Sequence, residues 1–161
     1  GAMSFLGRII FFGVSPITAV MFPIVARNYS KGENGITVLK WSLAGGFSIV
    51  LLVNLIYWLF QDFVIRQLYG EKYLQSSELL VLFGIFITFV TLSFLLLNYG
   101  LAQGESRVVL ASFIAAFLQV IFIWIYHPTL FSIIIISIII SFALFLYLVF
   151  YTSRQSLGLR Q

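Results

Sequence analysis

Cysteine is absent from the 161 residues. That excludes disulfides, thiolate nucleophiles and sulfur-ligated metal, and it leaves the redox compartment open. Charge is nearly as scarce: nine Lys or Arg and five Asp or Glu make up 9% of the chain, against about a quarter in ordinary soluble domains. A globule of this size with so few charges cannot clothe its surface in polar side chains. The net charge of +4 is small and scattered, which excludes a nucleic-acid footprint. The single histidine, His127, stands beside Pro128, with no evident partner for either ring nitrogen, so it reads as a turn residue and not a catalyst. Phosphate loops, nucleophile elbows and metal-ligand spacings are all missing. These absences point away from an enzyme, and neither a cofactor nor a metal is expected.

What the chain does have is apolar length. Hydrophobic residues are 61% of it and the mean hydropathy is +1.10, the composition of a protein dissolved in lipid. A bilayer core calls for about 20 apolar residues in a helix, and five segments qualify: 5–26, 38–60, 79–100, 107–126 and 130–151. The breaks are RNYSKGENGIT, QDFVIRQLYGEKYLQSSE, LAQGES and HPT. Only the second is long enough for structure of its own, and its mix of apolar and charged residues predicts a short interfacial helix, a turn at Gly70 and a new helix from Ser76 or Ser77. SIIIISIIIS (132–141) is β-branched, yet a lone strand in lipid leaves its backbone unbonded, so a helix is expected there too. The first segment is too long for a signal peptide and lacks a small-residue cleavage site. Residues 1–3, GAM, read as a cloning scar or a start, residues 4–151 as a five-helix transmembrane bundle, and 152–161 as a cytoplasmic tail.

Five spans place the two chain ends on opposite sides. One side then carries Arg27, Lys31, Lys40, Arg107, Arg154 and Arg160, the other Arg8, Arg66 and Lys72. The excess of basic residues assigns the first group to the cytoplasm. Aromatics mark both rims: Tyr29, Trp41, Tyr99, Tyr147 and Tyr151 inside, Tyr57, Trp58, Trp124 and Tyr126 outside.

Polar residues enter the spans in stripes. With about 100° per residue, Ser4, Gly7, Arg8, Ser15 and Thr18 share an arc of roughly 100° on the first helix. Gly84, Thr88, Thr91 and Asn98 line up on the third span, Ser112, Ala115 and Gln119 on the fourth, and Ser137 and Ser141 form a small-xxx-small pair on the fifth. Helix packing explains the last three stripes. The first adds a cation and two prolines, Pro16 and Pro23, each of which frees a carbonyl one turn back; Pro16 is expected to kink the helix. Arg8, Ser15 and Thr18 are therefore the candidates to face a substrate cavity, with snorkelling of Arg8 to the headgroups as its alternative.

The order of features resembles a known family. LGRIIFFGVSPITAVMFPIVARNYSKGE (6–33) is similar to a polysaccharide-flippase helix that ends in an FP pattern before a Lys-Gly-Glu loop. LYGEKYLQSSELLVLFGI (68–85) and LLLNYGLAQGESRVVLASF (95–113) resemble two later stretches of the same family in the same order. The family is the multidrug/oligosaccharidyl-lipid/polysaccharide exporter superfamily, in its O-antigen and capsule repeat-unit branch. The resemblance implies most of the C-terminal lobe of a two-lobed, all-α transporter, partnered by an N-terminal lobe. It also implies a lipid-linked oligosaccharide of the undecaprenyl-pyrophosphate type as substrate, and the bacterial inner membrane as location. HPT departs slightly from the family's usual IP-x-x-G turn, and the Ile- and Phe-rich last helix departs from its Gly- and Ala-rich one. A cation-coupled multidrug exporter of the same fold is the second reading, and it would be expected to bury a carboxylate. A non-transporting membrane scaffold is the third.

Overall fold

In lipid every backbone N–H and C=O must be bonded within the protein, so long apolar segments become helices. The computed structural model describes residues 2–158, with helices α1 (Ala2–Ser30), α2 (Ile36–Leu59), α3 (Gln61–Tyr69), α4 (Ser77–Ala102), α5 (Arg107–Ile125) and α6 (Leu130–Ser156), and a 3₁₀ turn at Glu71–Ser76 between α3 and α4. Five of these, all but α3, are long and apolar enough to cross a bilayer. The chain is an all-α membrane protein, and no strand occurs among the described residues. Gly1, Arg160 and the remainder of 159–161 lie outside those residues.

The helix ends have local causes. Glu33 N–H donates to the Asn28 carbonyl at 2.9 Å and Gly32 N–H to that of Tyr29 at 3.0 Å. The pair forms a Schellman cap, whose penultimate position needs the left-handed backbone that Gly32 supplies at φ +74°. The same cap closes α4, where Glu105 N–H donates to Gly100 at 3.0 Å and Gly104 N–H to Leu101 at 2.9 Å, with Gly104 at φ +77°. Asn34 Oδ1 accepts from Ile36 N–H at 3.0 Å to open α2. Thr129 Oγ1 accepts from Ser132 N–H at 3.2 Å to open α6, the ordinary work of an N-cap threonine. In the long polar break, a short helix, a turn at Gly70 (φ +84°) and a restart at Ser77 are as the sequence predicts.

α4 is the axis of the bundle, packed on α6, α1 and α2, while α5 leans mainly on α6. Leu6, Ile10, Val14, Met21 and Val25 recur at near-helical spacing and bury one face of α1 against the others. Leu39 and Val50 of α2, Leu80, Leu95 and Leu96 of α4, and Leu148 of α6 join that core. α5 gives it one residue, Val108.

Two expectations are revised. α6 runs on to Ser156, so the expected tail begins as helix and Thr152 is buried. Pro16 and Pro23 both fall inside α1, which runs from Ala2 to Ser30. Both prolines are exposed, so their rings displace no core. Among the rim aromatics, Tyr29, Trp41, Trp58, Trp124, Tyr126 and Tyr147 are exposed, but Tyr57 and Tyr99 are buried at 4% and 2%. A tyrosine near a helix end can satisfy its hydroxyl inside the protein as well as in the headgroups, and Tyr57 does so by donating to the Leu6 carbonyl at 2.7 Å.

Candidate functional site

Polar side chains inside a span either close bonds between helices or face something polar. Most of those in this bundle close bonds. Asn54 of α2 donates through Nδ2 to Thr88 Oγ1 of α4 and to its own Val50 carbonyl, both at 2.8 Å. Thr88 in turn donates to the Gly84 carbonyl at 2.8 Å. The approach is so close that a Cβ at Gly84 would overlap Asn54 Oδ1. Gly84 and Thr88 of the α4 stripe thus lie at the seam with α2, while Asn98 donates to the Phe94 carbonyl of its own helix at 2.8 Å. Asn54 was not part of any expected stripe; a lone Asn in an apolar helix is the signal that would have found it.

The stripes of α5 and α6 also meet. Gln119 Nε2 donates to Ser137 Oγ at 2.9 Å, Ser137 to the Ile133 carbonyl at 2.8 Å and Ser141 to that of Ser137 at 2.6 Å. Beside this seam lies a groove of about 220 Å³ between α4, α5 and α6, into which Ser93, Phe94, Ser112, Gln119 and Ser141 project. Ser93 Oγ is buried there with no hydrogen-bond partner among the described residues. Its place, roughly 180° around α4 from Gly84, separates it from the α2 seam.

The first-helix candidates divide. Gly7 and Thr18 fall at the inner edge of the stripe and are buried, Thr18 with an unpartnered hydroxyl. Ser15 is half-buried, and Ser4 and Arg8 are exposed. The expectation that Thr18 opens to a cavity is therefore corrected, because the arc of polar residues straddles the border of the buried face. Arg8 lies two residues inward from Leu6, whose carbonyl holds Tyr57. Phe11 sits within the same arc, and its ring is 5.1 Å from that of Phe94, which lines the groove. Arg8 and Ser15 thus share their arc of α1 with Phe11, the residue that reaches the groove through Phe94.

At the opposite end, the α1–α2 loop, the α4–α5 loop and the end of α6 converge. Glu105 accepts from the Tyr151 hydroxyl at 2.7 Å and from Gln155 Nε2 at 3.3 Å. Tyr99 accepts from Gln103 Nε2 at 3.0 Å. A polar cavity of about 240 Å³ lies between Tyr29, Glu33, Asn34, Tyr99 and Gln155. These contacts knit the loops of one rim. The basic loop between the first two spans, RNYSKGENGIT, therefore shares a rim with Arg107 and Arg154.

No group of three or more metal-ligating side chains occurs among the described residues. Comparison with protein-family models, curated proteins and solved structures finds no match to this chain.

Proposed function

We propose that the chain is one lobe of a membrane transporter that moves lipid-linked oligosaccharide repeat units across a bacterial cytoplasmic membrane for surface polysaccharide assembly. The observation that carries this reading is the Phe11–Phe94 contact: it links the arc of α1 that holds Arg8 and Ser15 to a largely apolar groove that Ser93, Ser112, Gln119 and Ser141 also line. A pyrophosphate head needs a cation and hydrogen-bond donors, and sugar hydroxyls need donors and acceptors, but their transfer needs no bond-making chemistry. A guanidinium offers a planar pair of N–H groups to phosphate oxygens. Ser93 lines the groove, and its buried hydroxyl has no partner among the described residues. The resemblance of 6–33, 68–85 and 95–113 to repeat-unit flippases supports the same substrate class, with a second lobe facing this one across the cavity.

The test is complementation of a strain lacking its repeat-unit flippase with the full-length transporter. Arg8→Ala is expected to abolish or strongly reduce surface polymer at unchanged protein abundance, and Arg8→Lys to restore part of it because the charge remains. Wild-type polymer from Arg8→Ala would place Arg8 in the headgroups and remove it from the site.

A further inference from the structure

α5 is the least buried of the long helices, with 6% of its most apolar stretch inside the protein. On the side of the α5–α6 seam away from the hydroxyl-lined groove there is a second, larger cleft of about 470 Å³. Its floor is made of small residues, Ala111 and Ala143, and its inner end is closed by Leu118 and Ile139. Ala115, Ile140 and Leu144 line both grooves and form the wall between them. At the rim end stand Arg107 and Tyr147. Arg107 is exposed and in no ion pair among the described residues.

Two dimensions of the cleft name its occupant. From Arg107 to Leu118 the helix rises about 16 Å at 1.5 Å per residue, which equals one leaflet of a hydrocarbon core about 30 Å thick. The cleft is therefore apolar over the length of an acyl chain and cationic only where that chain's headgroup begins. Charge agrees: Arg27, Lys31, Lys40, Arg107 and Arg154 share this rim with only Glu33 and Glu105, and Glu105 is engaged by Tyr151 and Gln155. Tyr147, exposed at this end of the cleft, is the amphipathic side chain that suits an interface.

We infer that the α5–α6 cleft is a binding site for an anionic phospholipid of the bilayer, with one acyl chain along Ala111 and Ala143 and the phosphate at Arg107 and Tyr147. The lipid fills a gap that α5 alone leaves open and fastens that helix to α6. This site is separate from the proposed transport face and does not depend on it.

Native mass spectrometry of the purified full chain, with phosphatidylglycerol or phosphatidylcholine of identical chains added, tests the assignment. Phosphatidylglycerol is expected to bind about five-fold tighter, the ratio one juxtamembrane cation supplies. Arg107→Gln should bring it down to the phosphatidylcholine level, whereas Arg27→Gln, which removes a cation of the same rim outside the cleft, should leave the preference intact. Ala111→Phe should weaken both lipids by obstructing the chain; Ala143→Leu is the smaller obstruction if Ala111→Phe fails to fold. Equal binding of the two lipids, equal loss in Arg27→Gln and Arg107→Gln, or retention in both obstructed variants would overturn the site. So would a preference for polyprenyl phosphate over phosphatidylglycerol, which would make the cleft a substrate-tail site instead.

Discussion

Asn54 shows what a single polar residue does inside this bundle. Its amide nitrogen is shared between Val50 and Thr88, and its oxygen is pressed toward Gly84. Interhelical hydrogen bonds in membranes are worth about 0.6 kcal/mol on average, because the separated helices also find partners. A double-mutant cycle of Asn54→Ala and Thr88→Val is accordingly expected to give a coupling near ~0.6 kcal/mol in reversible unfolding from detergent. Gly84→Ala should cost more, about 1–3 kcal/mol, since overpacking forces neighbours off their rotamers. Much of that loss should return in Gly84→Ala combined with Asn54→Ala. If Gly84→Ala were as stable as wild type, the close approach of α2 and α4 would be wrong.

Elements differ in how firmly they are held. α4 is buried by three neighbours, whereas α5 is attached to the bundle by Val108 at one end, by the Gln119–Ser137 bond in mid-span, and otherwise by the flank of α6. Elements with few buried contacts open at the low end of the local stability range. Amide hydrogen exchange in micelles should therefore show α5 opening more readily than α4. Gln119→Val should widen the gap by about 0.6 kcal/mol, the mean value of an interhelical bond. Equal protection of α4 and α5 would refute this hierarchy. The same looseness gives a bound lipid at the α5–α6 cleft a stabilising part to play.

The whole molecule is organised by two rims. The rim knitted by Glu105, Tyr151 and Gln155 carries five basic residues among those described, Arg27, Lys31, Lys40, Arg107 and Arg154; the other carries Arg8, Arg66 and Lys72. At that second rim Arg66 also has an exposed ion pair with Glu71 at 3.9 Å. The excess of basic residues predicts that the first rim faces the cytoplasm. The chain's lack of cysteine makes the measurement clean. In intact cells, Ser30→Cys and Ser153→Cys should be protected from an impermeant maleimide, and Lys72→Cys should react. The reverse pattern would invert the orientation.

Much of this architecture was legible in the chain itself, because lipid leaves a backbone few choices. Apolar length determined the number and type of the spans, and Gly32, Gly70 and Gly104, through their left-handed backbone, marked the turns between elements. Periodicity also found the polar stripes of α4, α5 and α6, since residues three, four or seven apart on one helix share a face. Which face meets which neighbour was decided only in three dimensions. Tyr57 and Tyr99 looked like rim residues but are buried, because the register between α1 and α2 brings the Leu6 carbonyl to Tyr57 and because Tyr99 sits where two loops and the end of α6 converge. Thr18 looked cavity-facing and is buried, because the border of the packed face cuts through the stripe on α1. A stripe specifies a direction around one helix axis; the rotation of that axis against its neighbours is set by the packing of Leu6, Ile10, Val14, Leu95 and Leu148, side chains that one-dimensional spacing cannot pair.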